Sequence, residues 1–220
     1  MHVLEGVEAV VFDLDGTLVE AMPYQELLVK VANTVSVPAE SLLTRYYNVP
    51  FNLDEARDYH LSLCRNEIQK EATHLVYKEF VDAKQNPKVL SGARKVLKYV
   101  QHNVKYLGWL SVCWTRGDLE AQKKTLTSAG FTEYFDIVVA VPKKSIETVK
   151  SELIPCLRGK KFILIGDSYE QDILPALEFA EKLFWVSGSR INKSGLATLP
   201  EILPQNVIEI EGVACFLPYL

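Results

Sequence analysis

The stretch AVVFDLDGTLVE, residues 9–20, constrains this chain more than any other. Ala9, Val10, Val11 and Phe12 run without the polar alternation of a half-exposed strand, so the pattern predicts a β-strand buried on both faces. The strand stops at Asp13 and Asp15, with Leu14 between them, and the chain turns at Gly16. Two carboxylates so close repel each other, and charges beside an apolar strand are costly unless compensated. The segment therefore needs a cation or a shared proton between its aspartates.

Similar continuous runs recur at residues 110–114, 137–141, 162–165, 183–186 and, more weakly, 207–210. Helical stretches at 92–101, 119–129, 146–157 and 173–182 separate them. Strand–helix alternation of this kind predicts an α/β fold with a doubly wound parallel sheet. Residues 20–88 break the pattern: no strand is evident, and apolar residues recur at helical spacing from Leu27 to Phe80. Pro38 and Pro50 are expected to separate helices there, and Pro87 stands near the end of the segment. The 220 residues suffice for one core with a small helical insertion. The expected division is a catalytic core of 1–19 and 89–220, with 20–88 as a helical cap.

In a parallel sheet, ligands bind beyond the carboxyl ends of the strands. Four strands are followed there by Asp13 and Asp15, by Thr115, Arg116 and Gly117, by Lys143 and Lys144, and by Asp167 and Asp172. Carboxylates, a hydroxyl, turn N–H groups and an ammonium together suit magnesium and a phosphate. A strand-end carboxylate such as Asp13 can form an acyl-phosphate. Asp15 is placed to protonate the leaving oxygen and then activate water. Asp13, Asp167 and the Asp15 carbonyl suffice for magnesium, which takes few carboxylates and keeps several waters. Thr115 and the N–H groups of Arg116 and Gly117 are expected to hold phosphate oxygens. Asp172 either caps the helix at 173 or supports the metal. Asp118 reads as an N-cap, and Arg116 as either a substrate contact or a solvated loop residue.

Ser145 reads as an N-cap, so both lysines precede a helix N-terminus, where positive charge is disfavoured. Their presence makes sense with an anion in the site. Lys144 adjoins the cap and is the preferred phosphate ligand, with Lys143 the alternative.

Asp13-Leu14-Asp15-Gly16-Thr17, Thr115 closing an apolar strand, Lys144 or Lys143 before a helix, and Gly166-Asp167-Ser168-Tyr169-Glu170-Gln171-Asp172 stand in one order. This set resembles the haloacid dehalogenase superfamily, in its phosphatase branch with a helical cap after the first motif. The resemblance implies a Rossmann-like core, bound Mg²⁺ and an aspartyl-phosphate intermediate on Asp13. The family's dehalogenases lack the second aspartate, so Asp15 points to phosphate chemistry. Lys144-Ser145 replaces a common Lys-Pro, and Glu20 stands where many capped relatives carry Asp.

The expected activity is hydrolysis of a small phosphorylated metabolite. A phosphomutase keeps the same motifs, and a non-catalytic phosphate-binding module keeps the fold. A net charge of −4 with dispersed basic residues gives no nucleic-acid surface. No basic region followed by a long apolar run opens the chain, so the expectation is a cytoplasmic protein without membrane association, monomeric or homodimeric. Cys64, Cys113, Cys156 and Cys215 have no metal spacing and read as reduced thiols. His60 falls on an apolar stripe and reads as packed. Trp109, Trp114 and Trp185 read as core, and Tyr24, Tyr46, Tyr47 and Tyr59 as mainly helical-cap packing.

Overall fold

The computed structural model describes residues 5–20, 24–49, 52–189, 192 and 201–220. His2, Pro50 and the side chain of Tyr47 lie outside the described residues. Strand β1 (Ala9–Phe12) leads through a turn to the short β2 (Val19–Glu20). Four helices follow: α1 (Tyr24–Val35), α2 (Ala39–Asn48), α3 (Leu53–Ser62) and α4 (Glu67–Gln85). The chain continues through β3 (Lys88–Val89), α5 (Ala93–Leu107), β4 (Leu110–Arg116), α6 (Leu119–Ala129) and β5 (Ile137–Val141). Helix α7 covers 146–157 around a π-type turn at Val149–Leu153. Then come β6 (Phe162–Gly166), α8 (169–176), β7 (Lys182–Val186) and β8 (Val207–Ile210).

Six strands form one parallel sheet in the order β5-β4-β1-β6-β7-β8. The alternation of side chains along β1 explains why its whole length is apolar. Val10 and Phe12 pack with Val96, Leu97 and Val100 of α5 and with Leu126 of α6. Ala9 and Val11 pack on the other face with Val149, Leu153 and Leu157 of α7 and Ile173 of α8. All four β1 side chains are fully buried, and each large one contributes on the order of 2 kcal/mol by leaving water. From β1 the chain fills one side with β4 and β5, then returns to place β6 on the other. The strand order reverses around β1, so its carboxyl end faces the crevice where open α/β sheets bind ligands.

Helices α1 to α4 share a third apolar cluster, built by Leu27, Leu28, Val31 and Val35 with Leu42, Tyr77 and Phe80. Pro38 occupies the N-cap position of α2 and separates it from α1, as its fixed φ predicts. Asn52 and Asn66 cap α3 and α4 by accepting backbone N–H groups, each worth roughly 1 kcal/mol. His60 is buried there, its Nδ1 in a 2.8 Å hydrogen bond with the Tyr77 hydroxyl. Burial pushes its pKa down to about 4, so it is a neutral packing residue. Trp114 and Trp185 are buried in the sheet, and Trp109 packs, partly buried, against the apolar cluster of the α5–α6 face. The four cysteines are unbridged. Among the described residues, no helix is long and apolar enough to cross a membrane.

Several elements differ from the sequence expectation. Strand β4 runs on to Arg116, so Thr115 and Arg116 are ladder residues opposite Ala140 and Val141. Helix α5 continues to Leu107 and stops only at Gly108, whose φ of 69° closes it in the left-handed region. Helix α8 begins at 169 rather than 173 and ends at 176 rather than 182. Ser168 caps it by accepting the Gln171 N–H, and Lys182 already belongs to β7. The antiparallel pair β2–β3, joining the two ends of the helical segment, is too short to leave a pattern in the sequence.

Candidate active site

Asp13 leaves β1 with its N–H still bonded to the Ile165 carbonyl at 2.9 Å, so strand pairing fixes its backbone. Its Oδ1 accepts from Lys144 Nζ at 2.5 Å, and its Oδ2 from Thr17 Oγ1 at 3.3 Å. The Lys144 ammonium also meets Asp172 Oδ1, and all three groups are buried. Lys143 is exposed, so Lys144 is the lysine brought to the aspartates. Ser145 caps α7 in a reciprocal pair with Thr148, which sets the direction of the chain entering from Lys144.

Asp172 does not cap a helix at 173. Its Oδ2 accepts the Ser168 N–H at 2.9 Å while its Oδ1 holds Lys144, so the carboxylate ties two loops together. The π-type turn at Tyr169–Ile173 gives Asp172 this position, in keeping with the frequency of such turns at functional sites. Asp167 directly follows β6, and its carbonyl accepts from Trp185 Nε1 at 3.0 Å and Asn192 Nδ2 at 2.9 Å. Oxygens of Asp13, Asp167 and Asp172 lie within 4.8 Å of one another. Gly16, at φ +87°, admits this cluster: a Cβ there would lie 2.1 Å from Asp167 Oδ2.

The charges conflict as the sequence implies. Burial pushes the Asp13 carboxyl up to about 7; Lys144 pulls it down, while Asp172 and Asp15 push it further up. Burial, then Asp13 and Asp172, hold Asp167 well above the ordinary carboxylate value. Burial works to lower Lys144, but its two carboxylate partners outweigh this and hold it above the usual lysine value. Three buried carboxylates thus face one buried ammonium. An all-oxygen donor set with excess negative charge fits a hard divalent cation such as Mg²⁺. Asp172 already accepts from Lys144 and the Ser168 N–H, and Asp13 and Asp167 stand beside it in the same oxygen cluster.

Asp15 lies at the edge of the same cleft. Its Oδ2 meets Lys84 Nζ from α4 and Gln122 Nε2 from α6, the latter at 3.4 Å, while its buried Oδ1 has no partner among the described residues. The Thr115 hydroxyl is likewise buried without a partner among the described residues. Gly117 departs from expectation: its N–H donates to the Val141 carbonyl at 2.9 Å, continuing the β4–β5 ladder, and is not offered to a ligand. Arg116 points toward the helical segment. It donates to the carbonyls of Pro142 and Tyr46 and to Gln171 Oε1, with its guanidinium 3.8 Å from the Tyr46 ring centroid. Asp118 caps α6 through the Ala121 N–H, as expected. The cleft spans about 1780 Å³ and is lined from the helical side by Tyr24, Tyr46, Phe80 and Lys84. Tyr59 packs in the helical cluster.

The family model described as "haloacid dehalogenase-like hydrolase" matches residues 7–180. The chain belongs to this hydrolase family. No curated protein matches it. Among solved structures, a haloacid dehalogenase-like family hydrolase from Xanthomonas campestris superposes with a TM-score of 0.69 at 16% identity, covering 95% of this chain and 92% of that one. A HAD-hydrolase from Bacillus subtilis, solved bound to magnesium, gives 0.62 at 17% identity over 94% and 95%. A predicted phosphoglycolate phosphatase from Haemophilus somnus gives 0.60 at 16% identity, covering 97% of each chain. These likenesses are of fold, and they span the helical segment as well as the sheet. Within that frame, sequence reasoning passed over Lys84 and Gln122, whose contacts with Asp15 come from helices distant in the chain. Asp118 as N-cap places Gln122 one turn into α6, the only sequence signal for it.

Proposed function

We propose that the chain is a Mg²⁺-dependent phosphatase acting on a small phosphorylated metabolite through an aspartyl-phosphate on Asp13. The observation that carries this reading is the Asp13 carboxylate at the end of β1, buried against Lys144 and within 4.8 Å of Asp167. Asp13, Asp167 and the Asp15 carbonyl would hold Mg²⁺, which when bound supplies positive charge against the substrate's phosphate.

An Asp13 carboxylate oxygen attacks phosphorus, and the bond from phosphorus to the leaving oxygen breaks. Asp15 gives its proton to that oxygen. Water then attacks the aspartyl-phosphate, losing its proton to Asp15, and phosphate leaves. Lys144 faces the phosphoryl oxygens as a buried cation, and the Thr115 hydroxyl, without a partner among the described residues, is a further donor. We assign residues 20–88 as a cap over the cleft, supported by the apolar cluster that α1 to α4 share. Such a cap excludes water and contacts the leaving group.

The test is phosphate release from a generic aryl phosphate and a phosphometabolite panel, with Mg²⁺ or EDTA. The reading expects Mg²⁺-dependent turnover that Asp13→Asn abolishes; activity surviving that substitution removes Asp13 as nucleophile. Isomerisation without phosphate release identifies a mutase instead, and binding without turnover a regulatory module.

A further inference from the structure

We infer that Lys84 and Gln122 are positioning residues for the Asp15 carboxyl, aiming one of its oxygens at the leaving group; this rests on the phosphatase reading above. The two oxygens of Asp15 are unequal. Oδ2 is held from two sides, by the Lys84 ammonium and the Gln122 amide, whereas the buried Oδ1 has no partner among the described residues. Proton exchange with substrate therefore belongs to Oδ1. A carboxylate rotates broadly about its last torsion, so an anchor on one oxygen fixes the place of the other.

Both anchors are themselves fixed. Gln122 is buried, and its Nε2 also donates to the Arg116 carbonyl at 2.7 Å. A Cβ on Gly117 would lie 3.1 Å from that nitrogen, so the glycine leaves room for the amide. Lys84 sits in the last turn of α4, and its backbone carbonyl accepts from Thr125 Oγ1 at 3.2 Å. Gln122 and Thr125 are three residues apart on α6 and share its face. One helix of the sheet layer thus holds Asp15 directly through Gln122 and holds, through Thr125, the turn that carries Lys84. Docking of α4 on α6 sets the direction of the Asp15 proton. The helical segment then has a part in the first chemical step beyond covering the cleft, since a misplaced proton donor costs rate steeply.

The experiment measures kcat/KM with Mg²⁺ for phenyl, 4-nitrophenyl and 2,4-dinitrophenyl phosphate in wild type, Asp15→Asn, Lys84→Met, Lys84→Arg and Gln122→Leu. This parameter reports steps through departure of the leaving group, and a stable leaving group needs little proton donation. The inference expects Lys84→Met and Gln122→Leu to lose about 10- to 100-fold on phenyl phosphate, part of the usual effect of a general acid. Loss on the dinitrophenyl ester should be several-fold smaller, and Lys84→Arg should recover most of the phenyl phosphate rate. Equal losses on all three esters mean a merely structural role and overturn the inference. If Asp15→Asn itself shows no dependence on the leaving group, Asp15 is not the acid, and the underlying reading fails first. If Asp15→Asn shows it and the Lys84 and Gln122 variants do not, only the inference fails.

Discussion

Replacing Asp13 with asparagine should make the metal-free protein more stable at neutral and alkaline pH. Burial raises the Asp13 carboxyl from 3.8 to about 7 in the folded state. A carboxyl raised in this way contributes stability that is fully present below about 3.8 and is lost as pH rises through about 7, because only the unfolded chain releases the proton early. The rise corresponds to about 4 kcal/mol, lost across that window. Asn at this position is neutral throughout and can still accept from Lys144, so it removes the penalty while leaving Lys144 with Asp172. Urea denaturation in EDTA, compared at about pH 5 and about pH 8, reads the difference directly. Wild type should lose ground to D13N by a few kcal/mol between the two pH values. Magnesium at about 100 times its Kd should return about 2.7 kcal/mol to wild type and less to the variant. Parallel pH profiles for the two proteins would refute the reasoning, since they would mean that Asp13 carries no unfavourable charge when ionised.

Two further outcomes follow from the same contacts. Lys144→Met leaves two buried carboxylates without their shared cation and should cost about 3–5 kcal/mol in EDTA at neutral pH, read by urea denaturation. The pKa of His60 is pushed down to about 4, so its contribution is present above about 6.5 and lost as pH falls through about 4. Measured against His60→Gln, wild type should lose about 2 kcal/mol across that window, a figure reduced for solvent screening.

The sheet was legible because each strand is a continuous apolar run and each is followed by the polar residues that the strand ends present. β1, β5 and α6 fall at the expected residues, and the candidate site groups lie at or just beyond the ends of β1, β4, β5 and β6, as the strand pattern implies. What sequence could not separate was decided by packing. Lys143 and Lys144 both precede the same cap, and only burial against Asp13 distinguishes them. Gly117 reads as a turn glycine with a free N–H, yet β4 runs two residues longer and its ladder takes that group. Asp172 reads equally as a cap or as a support for the metal; Ser168 fills the capping role four residues earlier, and the Asp172 carboxylate goes to Lys144. Lys84 and Gln122 look like ordinary polar helix residues. Their importance depends on α4 meeting α6, a contact between residues 41 positions apart.

The central claim is that Asp13 bonds covalently to phosphorus during turnover. Rapid acid quenching of the enzyme mixed with Mg²⁺ and a hydrolysed aryl phosphate, followed by peptide mass spectrometry, tests it without assumptions about substrate. The account predicts one phosphoryl group on the peptide that carries Asp13, lost in D13N. Turnover with no phosphoryl adduct, or an adduct on any other residue, would contradict it.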